Sequence, residues 1–156
     1  MPRTTHDVDI LVILTVKEIE KAFSIFSDKF YVSEQGIRDA LRSGTMFNVV
    51  DPGKGLKADF WIYSGELFDQ SMMARRKRVE IFPGKEAYLG SAEDVLLHKL
   101  VWNKITPSER QRADAAGIVA VQGGNLDLAY MCTWAARQST SEVLEEFLQG
   151  KHLKST

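Results

Sequence analysis

The chain has 156 residues, 44% of them hydrophobic and 26% charged, the composition of an ordinary soluble globular protein with no need of disulfides or a structural metal. Lys and Arg number 20 against 21 Asp and Glu, a formal net charge of −1 that argues against a protein built to coat nucleic acid or an anionic membrane. Cys132 stands alone and His6, His98 and His152 are scattered, which excludes a disulfide framework and a Cys/His zinc site. No stretch is long and apolar enough to span a bilayer, and residues 1–7 have no apolar region like that of a signal peptide, so a cytoplasmic setting is expected.

Residues 8–14 alternate Val8, Ile10, Val12 and Leu14 with Asp9, Leu11 and Ile13, a pattern that predicts a strand covered on both faces. Thr15 followed three residues later by Glu18 is a capping-box signal. Ile19, Ala22, Phe23, Phe26 and Phe30 continue it at helical spacing. A second helix is predicted over 34–42, with Ile37, Ala40 and Leu41 inward and Gly44 as its stop. Residues 45–50 and 57–63 read as strands joined by the turn Asp51-Pro52-Gly53-Lys54-Gly55, a possible hairpin. Residues 66–74 are weakly helical, and short strands flank Pro83-Gly84.

After Gly90 the spacing becomes helical. Ser91 reads as an N-cap with Glu93 and Asp94 in the first turn, and Val95, Leu96, Leu100 and Val101 form an apolar stripe reaching about Ile105. Further helices are expected from about Pro107 to Val121, from Leu126 to Arg137, and from a hydroxyl-x-x-Glu start at Ser139 to Gly150. The expected organisation is an α/β part over 1–90 and a helical part over 91–156.

Chemistry concentrates first in Thr5-His6-Asp7-Val8-Asp9. Side chains of a strand alternate, so Asp7 and Asp9 project from one face and repel unless a cation lies between them. Oxygen-only ligands suit Mg2+ or Mn2+; a solvated edge would carry the same residues. Asp59 lies between Ala58 and Phe60 in an otherwise apolar strand and needs a partner. That partner is either a salt bridge, to Lys57 or an arginine, or a metal shared with the other two acids. Arg75-Arg76-Lys77-Arg78 reads as a solvated charge run, with nucleotide or RNA phosphate as the functional alternative. Trp61, Trp102 and Trp134 read as core.

The order of these pieces resembles the nucleotidyltransferase-like superfamily, in particular small bacterial proteins of the abortive-infection and minimal-nucleotidyltransferase kind. The residues that carry the resemblance are Arg3-x-Thr5-x-Asp7-x-Asp9, then Lys57-Ala58-Asp59-Phe60, then Ser91-Ala92-Glu93-Asp94 with Lys99. Ser108-Glu109-Arg110-Gln111 with Asp114, and Leu126-Asp127 with Tyr130 and Trp134, extend it over most of the chain. It implies an α/β (α+β) fold, a mixed sheet flanked by helices and followed by a C-terminal helical bundle. It also implies Mg2+-dependent transfer of a nucleoside monophosphate from an NTP to a hydroxyl of a protein, RNA or small molecule. Asp7, Asp9 and Asp59 would be catalytic and hold Mg2+ (or Mn2+), and Lys99, Thr5 and Arg3 would contact the nucleotide.

Relatives carry a Gly-Ser or Gly-Gly motif at a helix start upstream of the Asp pair. Here six residues precede Asp7 and hold no such motif, as in a shortened version, a chain whose start lies upstream of Met1, or one to which a partner supplies that surface. The alternative reading is therefore a non-catalytic binding module of the same fold, such as a partner protein in a defence or toxin–antitoxin locus. A homodimer is expected, because losing the motif's helix would uncover apolar sheet surface.

Overall fold

The structure, a computed structural model, describes residues 7–150. They form two compact units, one ending at Asp69 and the other beginning at Gln70. The division falls before the strands flanking Pro83-Gly84, which the sequence reading grouped with the first part.

In the first unit, β1 (Asp7–Val12) begins one residue earlier and ends two residues earlier than expected. The Tyr63 amide closes the ladder on the Val12 carbonyl at 2.9 Å, and Thr15 turns the chain into a helix. The Glu18 carboxylate accepts from the Thr15 amide at 2.9 Å and from its hydroxyl at 2.7 Å, which holds the carboxyl below its usual range. The first turn, Val16–Glu18, is a tight 3-10 turn leading into α1 (Ile19–Ser27). Phe30 lies beyond α1 and packs edge-on against Phe26 at 6.5 Å.

Helix α2 (Glu34–Ser43) has the expected ends. The Ser33 hydroxyl accepts from the Gly36 amide at 3.0 Å, and Gly44 closes the helix with a left-handed φ of 65° that a side chain would strain. Strands β2 (Met46–Asp51) and β3 (Leu56–Ile62) form the expected hairpin. Its turn is set by Asp51, whose carboxylate accepts from the amides of Gly53 at 2.9 Å and Lys54 at 3.1 Å.

The sheet order is β1-β3-β2, with β1 parallel to β3 and β2 antiparallel to it. Period-two alternation separates its faces. Val12, Phe47, Val49, Phe60 and Ile62 meet Ile19, Ala22, Phe23 and Phe26 of α1 and Ile37, Ala40 and Leu41 of α2 in one core. Phe47 stacks on Phe60 at 5.1 Å between ring centres. The opposite face carries the acids.

Helix α3 (Leu67–Arg75) crosses the division and leads to the antiparallel pair β4 (Lys77–Phe82) and β5 (Lys85–Leu89). Four helices follow: α4 (Ala92–Ile105), α5 (Glu109–Gln122), α6 (Leu128–Arg137) and α7 (Ser141–Leu148). Leu96, Leu97, Leu100, Ala115, Met131, Ala135, Leu144 and Phe147 are buried among them. Val95 is 43% exposed, which corrects the expected stripe of α4. The buried residues of α4 are instead Glu93, Asp94, Leu96, Leu97, Leu100 and Asn103. The three polar members, Glu93, Asp94 and Asn103, hid this set from a count of apolar residues. Asp127 rather than a residue before it caps α6, accepting from the Tyr130 amide at 3.0 Å. The chain is α+β, with a mixed sheet first and a helical assembly last.

Candidate functional site

Strand register assembles the acidic face of the first unit. Asp9 pairs in register with Asp59 across the parallel ladder, Asp7 with Lys57, and Leu11 with Trp61. Asn48 pairs with Asp59 from the other side. Register partners share a face, so Asp7, Asp9, Lys57, Asp59, Trp61 and Asn48 belong together.

Asp59 sits on the central strand and is 8% exposed, whereas Asp9 on the edge strand is open to solvent. The Asp59 carboxylate is held on both sides. Lys57 Nζ donates to Oδ2 at 2.9 Å, and the Asn48 amide donates to Oδ1. Of the partners open to Asp59 from the sequence, Lys57 is the one in place. Trp61 Nε1 donates to Asp9 Oδ1 at 3.2 Å, so this indole belongs to the acidic face and not to the core as expected. The hydrogen bond to Asp59 holds the Lys57 ammonium above its usual range; burial pulls the other way, and the charges of Asp59, Asp7 and Asp9 add to the rise.

The three acids expected to act together are thus on two directly paired strands. Among the described residues no group of three His, Cys, Asp or Glu side chains is disposed as a ready-made metal site. The cation against Asp59 is a lysine. Asn48 was not singled out from the sequence, although the hairpin turn at Asp51–Gly55 fixes the register that puts it opposite Asp59. Arg3 and Thr5 lie outside the described residues.

Lys99 belongs to the second unit. Its ammonium donates to Gln111 Oε1 at 3.3 Å and to Asp114 Oδ2 at 3.2 Å, tying α4 to α5. Four other motif residues of this unit, Glu93, Asp94, Asp127 and Tyr130, converge on Arg75. Its guanidinium carbon stands 3.8 Å over the Tyr130 ring centre, and its nitrogens lie 3.4 Å from Glu93, 3.8 Å from Asp94 and 3.8 Å from Asp127. Arg75 is therefore not part of a solvated run, unlike the exposed Arg76, Lys77 and Arg78.

Asp94 is 2% exposed; it accepts from the Ser91 hydroxyl at 2.7 Å and from the Tyr130 hydroxyl. Glu93 accepts from the Asp127 amide at 3.0 Å. Burial raises the Glu93 carboxyl, but the Asp127 amide, its own amide, the Ser91 hydroxyl and Arg75 together bring it below its usual range. Burial and the bond to Asp94 push the Tyr130 phenol up to about 12, against the pull of the Ser71 hydroxyl and Arg75. The network pairs the buried Asp94 and Glu93 carboxylates with donors from α3, α4 and α6, which is a structural task, although Arg75 Nε is buried in it without a hydrogen-bond partner.

Comparison with family models and with curated proteins gives no match.

Proposed function

We propose that the acidic sheet face binds a divalent cation with a nucleoside triphosphate and transfers the nucleoside monophosphate to a hydroxyl acceptor. The observation that carries this reading is the in-register pairing of Asp9 with Asp59, with Asp7 on the same face. The donor chemistry fits a hard cation: carboxylate oxygens from Asp7, Asp9 and Asp59, the last of them buried on the central strand. Asp7, Asp9 and Asp59 would hold Mg2+ or Mn2+, which supplies charge to offset that of the transferred phosphoryl group.

In the transfer, the acceptor oxygen bonds to the α-phosphorus. The bond from that phosphorus to the α–β bridging oxygen breaks, and pyrophosphate leaves with the electron pair. One of the three carboxylates takes the hydroxyl proton. The Trp61 indole, by donating to Asp9, fixes the direction in which that carboxylate points.

The test is calorimetry with MgCl2 and each NTP, followed by transfer from an α-labelled NTP. Nucleotide binding that needs Mg2+ and is lost in Asp9→Asn supports the reading. No binding at millimolar concentrations by the unaltered protein overturns it.

A second reading, a non-catalytic module of the same fold, is favoured by one observation: Lys57 already neutralises Asp59. Under it, nucleotide binding is absent and the acidic face serves to hold a partner protein.

A further inference from the structure

We propose that Lys57 is the resident counter-ion of the acidic face and sets its affinity for divalent metal by competing for Asp59. The inference rests on the metal-binding reading above and adds a positioning residue that reading does not contain. Three observations place Lys57 in this role. Its ammonium is 2.9 Å from Asp59 Oδ2, the distance of a direct charge-assisted bond. It stands in register with Asp7, so the β1 carboxylates Asp7 and Asp9 bear on it as well as Asp59 of its own strand. And the two partners differ in freedom: the Lys57 side chain is 38% exposed against 11% for Asp59.

That asymmetry defines the event. Asp59 is fixed on the central strand and held from the other side by Asn48. Lys57 has a flexible four-carbon stem with a route to solvent. When a cation arrives, Lys57 leaves and Asp59 stays. Lys57 thereby keeps a buried carboxylate neutralised in the metal-free state, where it would otherwise lack a counter-charge. It also imposes a threshold, since a metal must offer Asp59 more than the ammonium does. A lysine is a single point charge, so a divalent ion with its waters and a bound phosphate can exceed it, whereas a monovalent ion cannot.

The test uses the full chain with Mn2+ alone as the probe, read by calorimetry and by electron paramagnetic resonance of the free ion. Lys57→Met removes the competitor, Lys57→Gln removes its charge but keeps a donor, and Lys57→Arg keeps the charge. The expected result is Mn2+ binding about tenfold tighter in Lys57→Met and Lys57→Gln than in the unaltered protein, with Lys57→Arg close to the latter. A merely structural lysine would give the opposite order, because losing it would loosen Asp59 and weaken binding. If Lys57→Met fails to fold, Lys57→Gln is read in its place.

Unchanged or weaker Mn2+ binding in the neutral variants, with the unaltered protein still binding, overturns the competition and leaves the metal reading standing. Absence of Mn2+ binding in the unaltered protein and in every variant overturns both.

Discussion

Asp9 and Asp59 stand opposite each other on parallel strands, one open to solvent and the other enclosed by Lys57 and Asn48. Two acids so placed have different tasks. The buried one needs its lysine; the exposed one contributes repulsion without needing a counter-ion.

Asp9→Asn should therefore leave the fold intact and raise its stability slightly. Among the described residues, Asp9 shares its face with two acids, Asp7 and Asp59, against one lysine, so the net field of these groups on its charge is repulsive. The Asn side-chain oxygen can still accept from Trp61. The expected gain is up to about 1 kcal/mol at low salt, shrinking as salt screens it. Urea unfolding at two ionic strengths measures it; a clear loss of stability would mean that the Asp9–Trp61 bond outweighs the repulsion.

Lys57→Met, in the absence of metal, should destabilise the first unit by about 1–2 kcal/mol, since a buried carboxylate loses a charged donor while retaining Asn48. The double variant Lys57→Met with Asp59→Leu should recover part of that loss, because it removes the buried charge with its partner. A double-mutant cycle that shows no coupling between the two positions would contradict the pairing.

Tyr130 should titrate late. The group sits at about 12, so the neutral phenol is favoured in the folded state. Its contribution to stability is complete below the phenol's unfolded value of about 10 and is lost as pH rises from there toward 12. Phenolate absorbance at 295 nm should show a late component that Tyr130→Phe removes. The same substitution takes a donor from Asp94 and should cost about 1–3 kcal/mol at neutral pH.

Glu93 works in the opposite direction along the pH axis. Its carboxyl lies below its usual range, so its contribution is present above the unfolded value of about 4.3 and disappears as pH falls through the lower folded value. Glu93→Gln should flatten the acid limb of the stability curve in that window. An acid limb identical to that of the unaltered protein would remove Glu93 from the groups responsible.

Local signals in the sequence located most of the elements, because each depends on neighbours in the chain. The Thr15–Glu18 box, Ser91 and Gly44 act within one turn, and the Asp51 turn sets the hairpin. What the sequence left open was pairing between distant segments. It allowed Asp59 a lysine, an arginine or a metal, and only the register of β3 with β1 and β2 distinguishes Lys57 and Asn48. Arg75 looked like one cation in a run of four, since the acids around it come from α4 and from the cap of α6. Trp61 was assigned to the core on its apolar neighbours, but those neighbours lie on the other side of the sheet.

Among the described residues β1 pairs with β3 alone, so its outer edge is a row of backbone donors and acceptors with no strand beside it. Such an edge is a template for another chain, and the charged side chains of Asp7 and Asp9 obstruct that use. A second copy laid against it antiparallel would bring two pairs of carboxylates together. Removing those charges removes the guard. Turbidity and filament growth should therefore rise in a variant carrying Asp7→Asn with Asp9→Asn, and the acidic face is as much a device for keeping molecules apart as for holding a ligand.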